Sequence, residues 1–135
     1  MADYKIPKSS VATPEFDYYA TMLFQLPVKV QFCHHSTTSY AAHKALDKTY
    51  NNINDLKDSI LEKLIGCMGY RYKNLNMSQL SNYSEDMNKQ VAEEICQFAK
   101  KLMTWADSNG YSDIGNLAQE YLGTGNQLRY LLTLS

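Results

Sequence analysis

Five side chains in the first half of the sequence could do chemistry together. His43, Asp47, Asp58 and Glu62 fall in one long stretch without a helix breaker, and His34 stands nine residues before His43. A further histidine, His35, follows directly. Imidazole combined with carboxylates is a donor set for Fe(II), Zn(II) or Mn(II), and no thiolate is placed to favour a softer ion.

On a helix the four residues of the stretch share one side. Taking His43 as zero and stepping ~100° per residue, Asp47 falls near ~40°, Asp58 near ~60° and Glu62 near ~100°. Leu46, Tyr50, Ile53, Ile60 and Leu64 fall on the neighbouring side, at roughly ~260° to ~340°. The polar stripe therefore borders the stripe that a core would take. His43 with Asp47, and Asp58 with Glu62, are each i, i+4 pairs whose side chains reach one point from adjacent turns. The two pairs lie ~16 Å apart along the axis, too far to share an ion within one chain. A second copy of the helix running antiparallel would bring Asp58 and Glu62 of one chain onto His43 and Asp47 of the other, in a two-fold dimer with two equivalent sites. The plainer alternative is a solvated acidic face paired with Lys44, Lys48, Lys57 and Lys63.

The elements that must position these groups read as all-α, a four-helix bundle with a crossover between helices 2 and 3. Six glycines and three prolines interrupt 135 residues. The spacing predicts a first helix from Phe16 to His35, kinked or briefly broken at Pro27. After the turn Ser36–Ser39, whose hydroxyls suit an N-cap, a second helix runs from Tyr40 to Ile65 and stops at Gly66, with Gly69 as a further breaker. The connection is predicted to hold a helical turn near Met77–Leu80. A third helix spans Ser84 to Asp107, ended by Asn109-Gly110, and a fourth spans Ser112 to Leu134, weakened at Gly123–Gly125. Residues 1–15 read as a flexible tail and 16–135 as a single domain.

Composition narrows the function. The net charge of −1 gives no general pull toward nucleic acid. Cys33, Cys67 and Cys96 form no Cys-x-x-Cys pair, which argues for reduced thiols and against a zinc knuckle or a disulfide framework; Cys33 is expected to be buried. No segment approaches ~20 apolar residues, so no membrane span is expected. The polar N-terminus lacks the apolar core of a signal peptide. Tyrosines and Trp105 are expected as core or interface anchors, and the methionines as gap-fillers. Glu93-Glu94 could approach the bundle centre, but no E-x-x-H run follows to complete an intra-subunit di-iron site.

His43, Asp47, Asp58 and Glu62 meet the pattern H-x3-D-x10-D-x3-E without a gap, and there the sequence resembles the ferritin-like superfamily, specifically its Dps (mini-ferritin) branch. The likeness extends from Tyr18 to Leu134, including a last helix that ends in an aromatic and apolar residues. His34, His35, Thr37, Ser39, Tyr40, Ala41, His43, Tyr50, Asp58, Glu62 and Gly66 are similar to a run in small ferritin-like bacteriophage proteins of undefined function, with His35 standing where those carry tryptophan. The resemblance implies an iron protein, a ferroxidase that oxidises Fe(II) with peroxide or oxygen at a dimer interface, with no catalytic residues separate from the metal ligands His34, His43, Asp47, Asp58 and Glu62. It also implies a homo-oligomer built from a two-fold dimer, extending to a dodecameric shell that stores iron, in the cytoplasm (the host's, if phage-encoded). The sequence departs from the Dps pattern at Gln31, where a histidine would stand, leaving His34 or His35 to supply the second imidazole. DNA binding is open but not favoured, because the tail offers only Lys5 and Lys8. The other function kept open is a non-enzymatic bundle that works through protein–protein contacts.

Overall fold

The computed structural model describes residues 14–135; residues 1–13 of the expected tail, with Lys5, Pro7 and Lys8, lie outside the described residues, and Pro14 and Glu15 belong to the first helix. Four α-helices make up the fold: α1 (Pro14–Ser36), α2 (Tyr40–Met68), α3 (Asp86–Asn109) and α4 (Ser112–Leu132). α1 and α4 sit at opposite corners, each packed on both α2 and α3, so the four form a bundle. Each helix turns a stripe of apolar side chains inward. Leu23, Leu26 and Val30 from α1 meet Leu46, Ile53, Ile60 and Leu64 from α2, Val91, Ile95 and Leu102 from α3, and Ile114 and Leu128 from α4, all fully buried. Each such side chain contributes about 1.5–3 kcal/mol on leaving water.

Several boundaries differ from the expected ones, for physical reasons. α1 opens at Pro14, two residues early; a proline in the first helical position gives up no backbone bond, since the N–H there has no intrahelical partner. Pro27 neither breaks nor ends α1, which continues to Ser36 with that proline buried. α2 runs through Gly66 to Met68. An interior glycine costs about 1 kcal/mol, and the packing of Ile65, Cys67 and Met68 against the core offsets it. The stop falls at Gly69, whose φ of 78° is open to glycine and whose N–H bonds the carbonyl of Ile65. Gly110 ends α3 in the same way at φ 75°.

No helical turn forms near Met77–Leu80; residues 71–84 are irregular. Their backbone donors are taken by α1 instead. Asp17, Thr21 and Gln25, four residues apart on one face, accept from the N–H of Lys73 (2.8 Å), Asn76 (3.1 Å) and Ser78 (2.7 Å). This row of oxygens holds the connection extended along α1, past Phe24 against Tyr72 and Phe32 against Tyr83. It delivers the start of α3 to the turn between α1 and α2.

α4 passes Gly123–Gly125 unbroken. At Gly125 it comes close against α3: a Cβ there would lie 2.6 Å from Cys96 Sγ and 2.8 Å from Ile95 Cγ2. The glycine that weakens the helix locally is the one that lets the two helices meet.

Candidate functional site

The turn between α1 and α2 builds the site. Ser39 caps α2, its side chain accepting from the N–H of Ala42 at 3.2 Å. Thr37 N–H closes the last turn of α1 on the carbonyl of Cys33, at 2.9 Å. The next donor, Thr38 N–H, goes instead to Glu85 Oε1 at 3.0 Å. The carbonyl of His34 accepts from an imidazole: His43 Nδ1 donates to it at 3.0 Å, and His34 Nδ1 donates to the carbonyl of His43 at 2.9 Å. The two rings stack, with centroids 4.0 Å apart and planes 19° from parallel.

This exchange fixes the chemistry of both rings. A carbonyl oxygen only accepts, so both Nδ1 atoms carry hydrogen, and in the neutral rings each Nε2 keeps its lone pair. Tying Nδ1–H to a carbonyl is how proteins orient a histidine for a metal. Asp47, half exposed on the next turn, comes within 4.0 Å of His34 Nε2. His34 is thus brought to both His43 and Asp47. His34, not His35, packs against His43; His35 is exposed, with its ring 4.8 Å from that of His34.

Asp58 and Glu62 are not brought to that place. They lie exposed on the same outer face of α2. The lysine pairing weighed from the sequence does not form among the described residues, where the ion pairs are Lys29–Glu94, His34–Asp47 and Arg129–Glu93. Lys44 lies over the ring of Tyr40 and Lys57 over that of Phe24. Within the described residues no three His, Cys, Asp or Glu side chains form a group that could hold a metal ion.

Elsewhere the residues singled out take structural roles. Glu94 is held by Lys29 at 2.8 Å, and Glu93 by the Arg129 guanidinium, so neither enters the bundle centre. The interior is mainly apolar, with Thr49 and Asn88 among its few buried polar side chains, and the Tyr121 hydroxyl is buried without a hydrogen-bond partner among the described residues. Cys33 is buried, and desolvation pushes its thiol up to about 11. Met87 is a core residue, while Met77 is exposed on the connection.

Two participants were not legible from spacing. Glu85, just before α3, accepts from Thr37 Oγ1 (2.8 Å), Thr38 N–H and Asn88 Nδ2 (3.2 Å), clamping the turn that holds the histidines. Those bonds hold its carboxyl below the ordinary value, the backbone N–H of Thr38 most strongly. Only the hydroxyl-rich turn hinted at such a partner, and the partner is 47 residues away. Tyr40, three-quarters exposed, stacks outside His43 with centroids 6.4 Å apart.

Residues 34–132 match a family of unknown function (DUF5856), and the chain belongs to that family. The matched span opens at His34 and closes at Leu132, the last residue of α4. No curated protein and no solved structure matches the chain.

Proposed function

We propose that the protein is a ferritin-like, Dps-type iron protein that binds Fe(II) between two copies of itself and oxidises it there. One copy supplies His34, His43 and Asp47, the other Asp58 and Glu62. The observation that carries this reading is the reciprocal bonding of the two imidazoles, which leaves both Nε2 lone pairs free and His34 Nε2 4.0 Å from Asp47, on a helix that also bears Asp58 and Glu62, in no ion pair among the described residues.

The residues present suit the substrate. Imidazole nitrogen and carboxylate oxygen are donors for Fe(II), and carboxylates favour the more highly charged ferric product. Zn(II) and Mn(II) suit the same donors and would compete. In the reaction, two ferrous ions give one electron each to a hydrogen peroxide molecule; its O–O bond breaks and, with two protons taken up, leaves two waters. The protein's part is to desolvate and orient the ion and to hold the ferric charge. Retaining the product inside a closed shell extends the same reading.

The test is direct. Purified protein is mixed anaerobically with Fe(II) and then given peroxide, while its mass is measured in solution. Ferric absorbance in the native protein, lost in His43→Ala and in Glu62→Ala, is expected, together with a dimer or a larger assembly. Variants that oxidise iron as the native protein does would refute the site. A metal-free monomer that oxidises nothing would favour the second function, a non-enzymatic bundle acting through protein–protein contacts.

A further inference from the structure

The bundle end remote from the histidines gathers redox-active rings. The sequence has a single tryptophan and eleven tyrosines. Trp105 on α3 lies 5.4 Å, ring centre to ring centre, from Tyr19 on α1 and 5.4 Å from Tyr111 ahead of α4. Tyr19 lies 5.4 Å from Tyr18, which reaches the surface. Four oxidisable rings are therefore in continuous contact, and neighbours at this spacing exchange electrons by tunnelling without help from intervening atoms. Core packing alone would be served as well by phenylalanine, since the hydroxyl of a buried tyrosine adds a polar group to desolvate.

The surroundings supply the proton chemistry. Tyr19 and Trp105 line one open cleft with Glu15, Lys101 and Asn109. Burial, with the Glu15 charge second, pushes the Tyr19 phenol up to about 12, so it keeps its proton at rest. The carboxylate of Glu15 and the water of the cleft can take that proton when the ring is oxidised. The Lys101 ammonium, 4.4 Å over the ring of Tyr18, opposes a ring cation there; Tyr18 can hold the oxidation only as a neutral phenoxyl, having released its proton to solvent. Tyr111 is hydrogen-bonded to Cys67, so its phenol too has a polar partner.

We propose that Trp105, Tyr19, Tyr18 and Tyr111 form a hole-transfer relay that carries one-electron oxidation from the indole to surface phenols. In the first step the indole gives one electron to a strong oxidant of the hydroxyl- or carbonate-radical class, which is reduced to hydroxide or carbonate. A neighbouring phenol then gives one electron to the indole radical, whose ring nitrogen regains from water the proton it had released, and the phenol's own proton passes to Glu15 or water. At neutral pH this direction is downhill, because oxidised indole is the stronger oxidant. The resulting phenoxyl is repaired at the surface by a hydrogen atom from a soluble thiol. The relay does not depend on the iron reading.

The single tryptophan makes the test clean. Azide radicals, generated by a radiolytic pulse, oxidise indole in preference to phenol. The native protein is expected to show indolyl absorbance that decays in a first-order step, independent of protein concentration, with matching growth of phenoxyl. The double variant Tyr19→Phe/Tyr111→Phe should lose that step while keeping native helicity; Tyr50→Phe, on α2, should keep it. Equal decay in the native protein and the double variant, or a decay rate proportional to protein concentration, would overturn the proposal. Should the double variant lose helicity, Tyr19→Phe and Tyr111→Phe singly must each slow the step, and two unslowed single variants would overturn it as well.

Discussion

The two ends of the polar stripe on α2 are built differently. Around His43 every group is held: both Nδ1 atoms are bonded, the rings are stacked, Ser39 caps the helix and Glu85 clamps the turn. Around Asp58 and Glu62 nothing among the described residues holds either carboxylate, although the helix beneath them is as well packed, with Ile60 and Leu64 fully buried. Sites made for a small ligand hold their donors in place before binding, because ordering them afterwards weakens affinity. By that criterion the first half is prepared within the subunit and the second half is not; the proposed function needs an outside agent to order it. A second copy is the proposed agent.

The largest effect is expected from an experiment that would break this comparison outright. His43→Ala and Glu62→Ala proteins, each unable to oxidise iron, are unfolded together, refolded and assayed. In a two-fold dimer half the molecules are mixed, and each mixed dimer has one intact site made of His43 from one chain and Glu62 from the other. About a quarter of the native sites should return. If the two halves acted within one chain, no activity would return.

Next in size come changes beneath each half. Leu46→Ala and Ile60→Ala each remove a fully buried side chain from α2, and each should cost about 2–5 kcal/mol in denaturant unfolding. Their effects on the imidazoles should differ. Leu46 lies one turn from His43, so its loss should shift the ring resonances of His34 and His43; loss of Ile60 should leave them in place. Equal shifts would mean that the histidine pair is no more fixed than the carboxylate pair.

The halves also differed in how much the sequence revealed. The four helices, the N-cap at Ser39 and the inward stripe of α2 follow from periodicity and local turn chemistry. The i, i+4 pairs follow from the same arithmetic, which places side chains that share one helix. What joins His34 to His43 is not periodic: it depends on the carbonyl of His34 being left over at a helix end, because Thr38 N–H has gone to Glu85. That is a long-range event. The extended connection was illegible for a related reason, since its backbone donors are captured by Asp17, Thr21 and Gln25 of another element. Gly125 was read only for its helix propensity, whereas its use is set by how closely Cys96 approaches.

A smaller effect tests whether the clamp matters to the first half. The Glu85 carboxyl is held below its ordinary 4.5 by the bonds from Thr38 and Thr37. A group whose native value is depressed contributes stability that is fully present above its unfolded value and is lost as pH falls through the native one. Stability should therefore fall as pH drops below about 4.5 in the native protein, in part through Glu85. Glu85→Gln should flatten that part of the acid slope, and the His43 ring resonances should broaden as the turn loosens. An unchanged slope would mean that the carboxylate is no more stable in the folded chain than in the unfolded one.

The smallest expected effect bears most directly on the second half. Asp58→Ala and Glu62→Ala remove exposed carboxylates that bond to nothing within the described residues, so thermal unfolding of the subunit should move by no more than about 0.5 kcal/mol either way. Loss of iron oxidation without loss of stability would mark these acids as kept for a ligand. A large destabilisation in either variant would mean that the carboxylates already serve the fold, and the contrast between the two ends of α2 would disappear. A gain in stability would fit the contrast, because two acids four residues apart on a helix repel one another by a few tenths of a kcal/mol until a cation or a partner's imidazoles arrive between them.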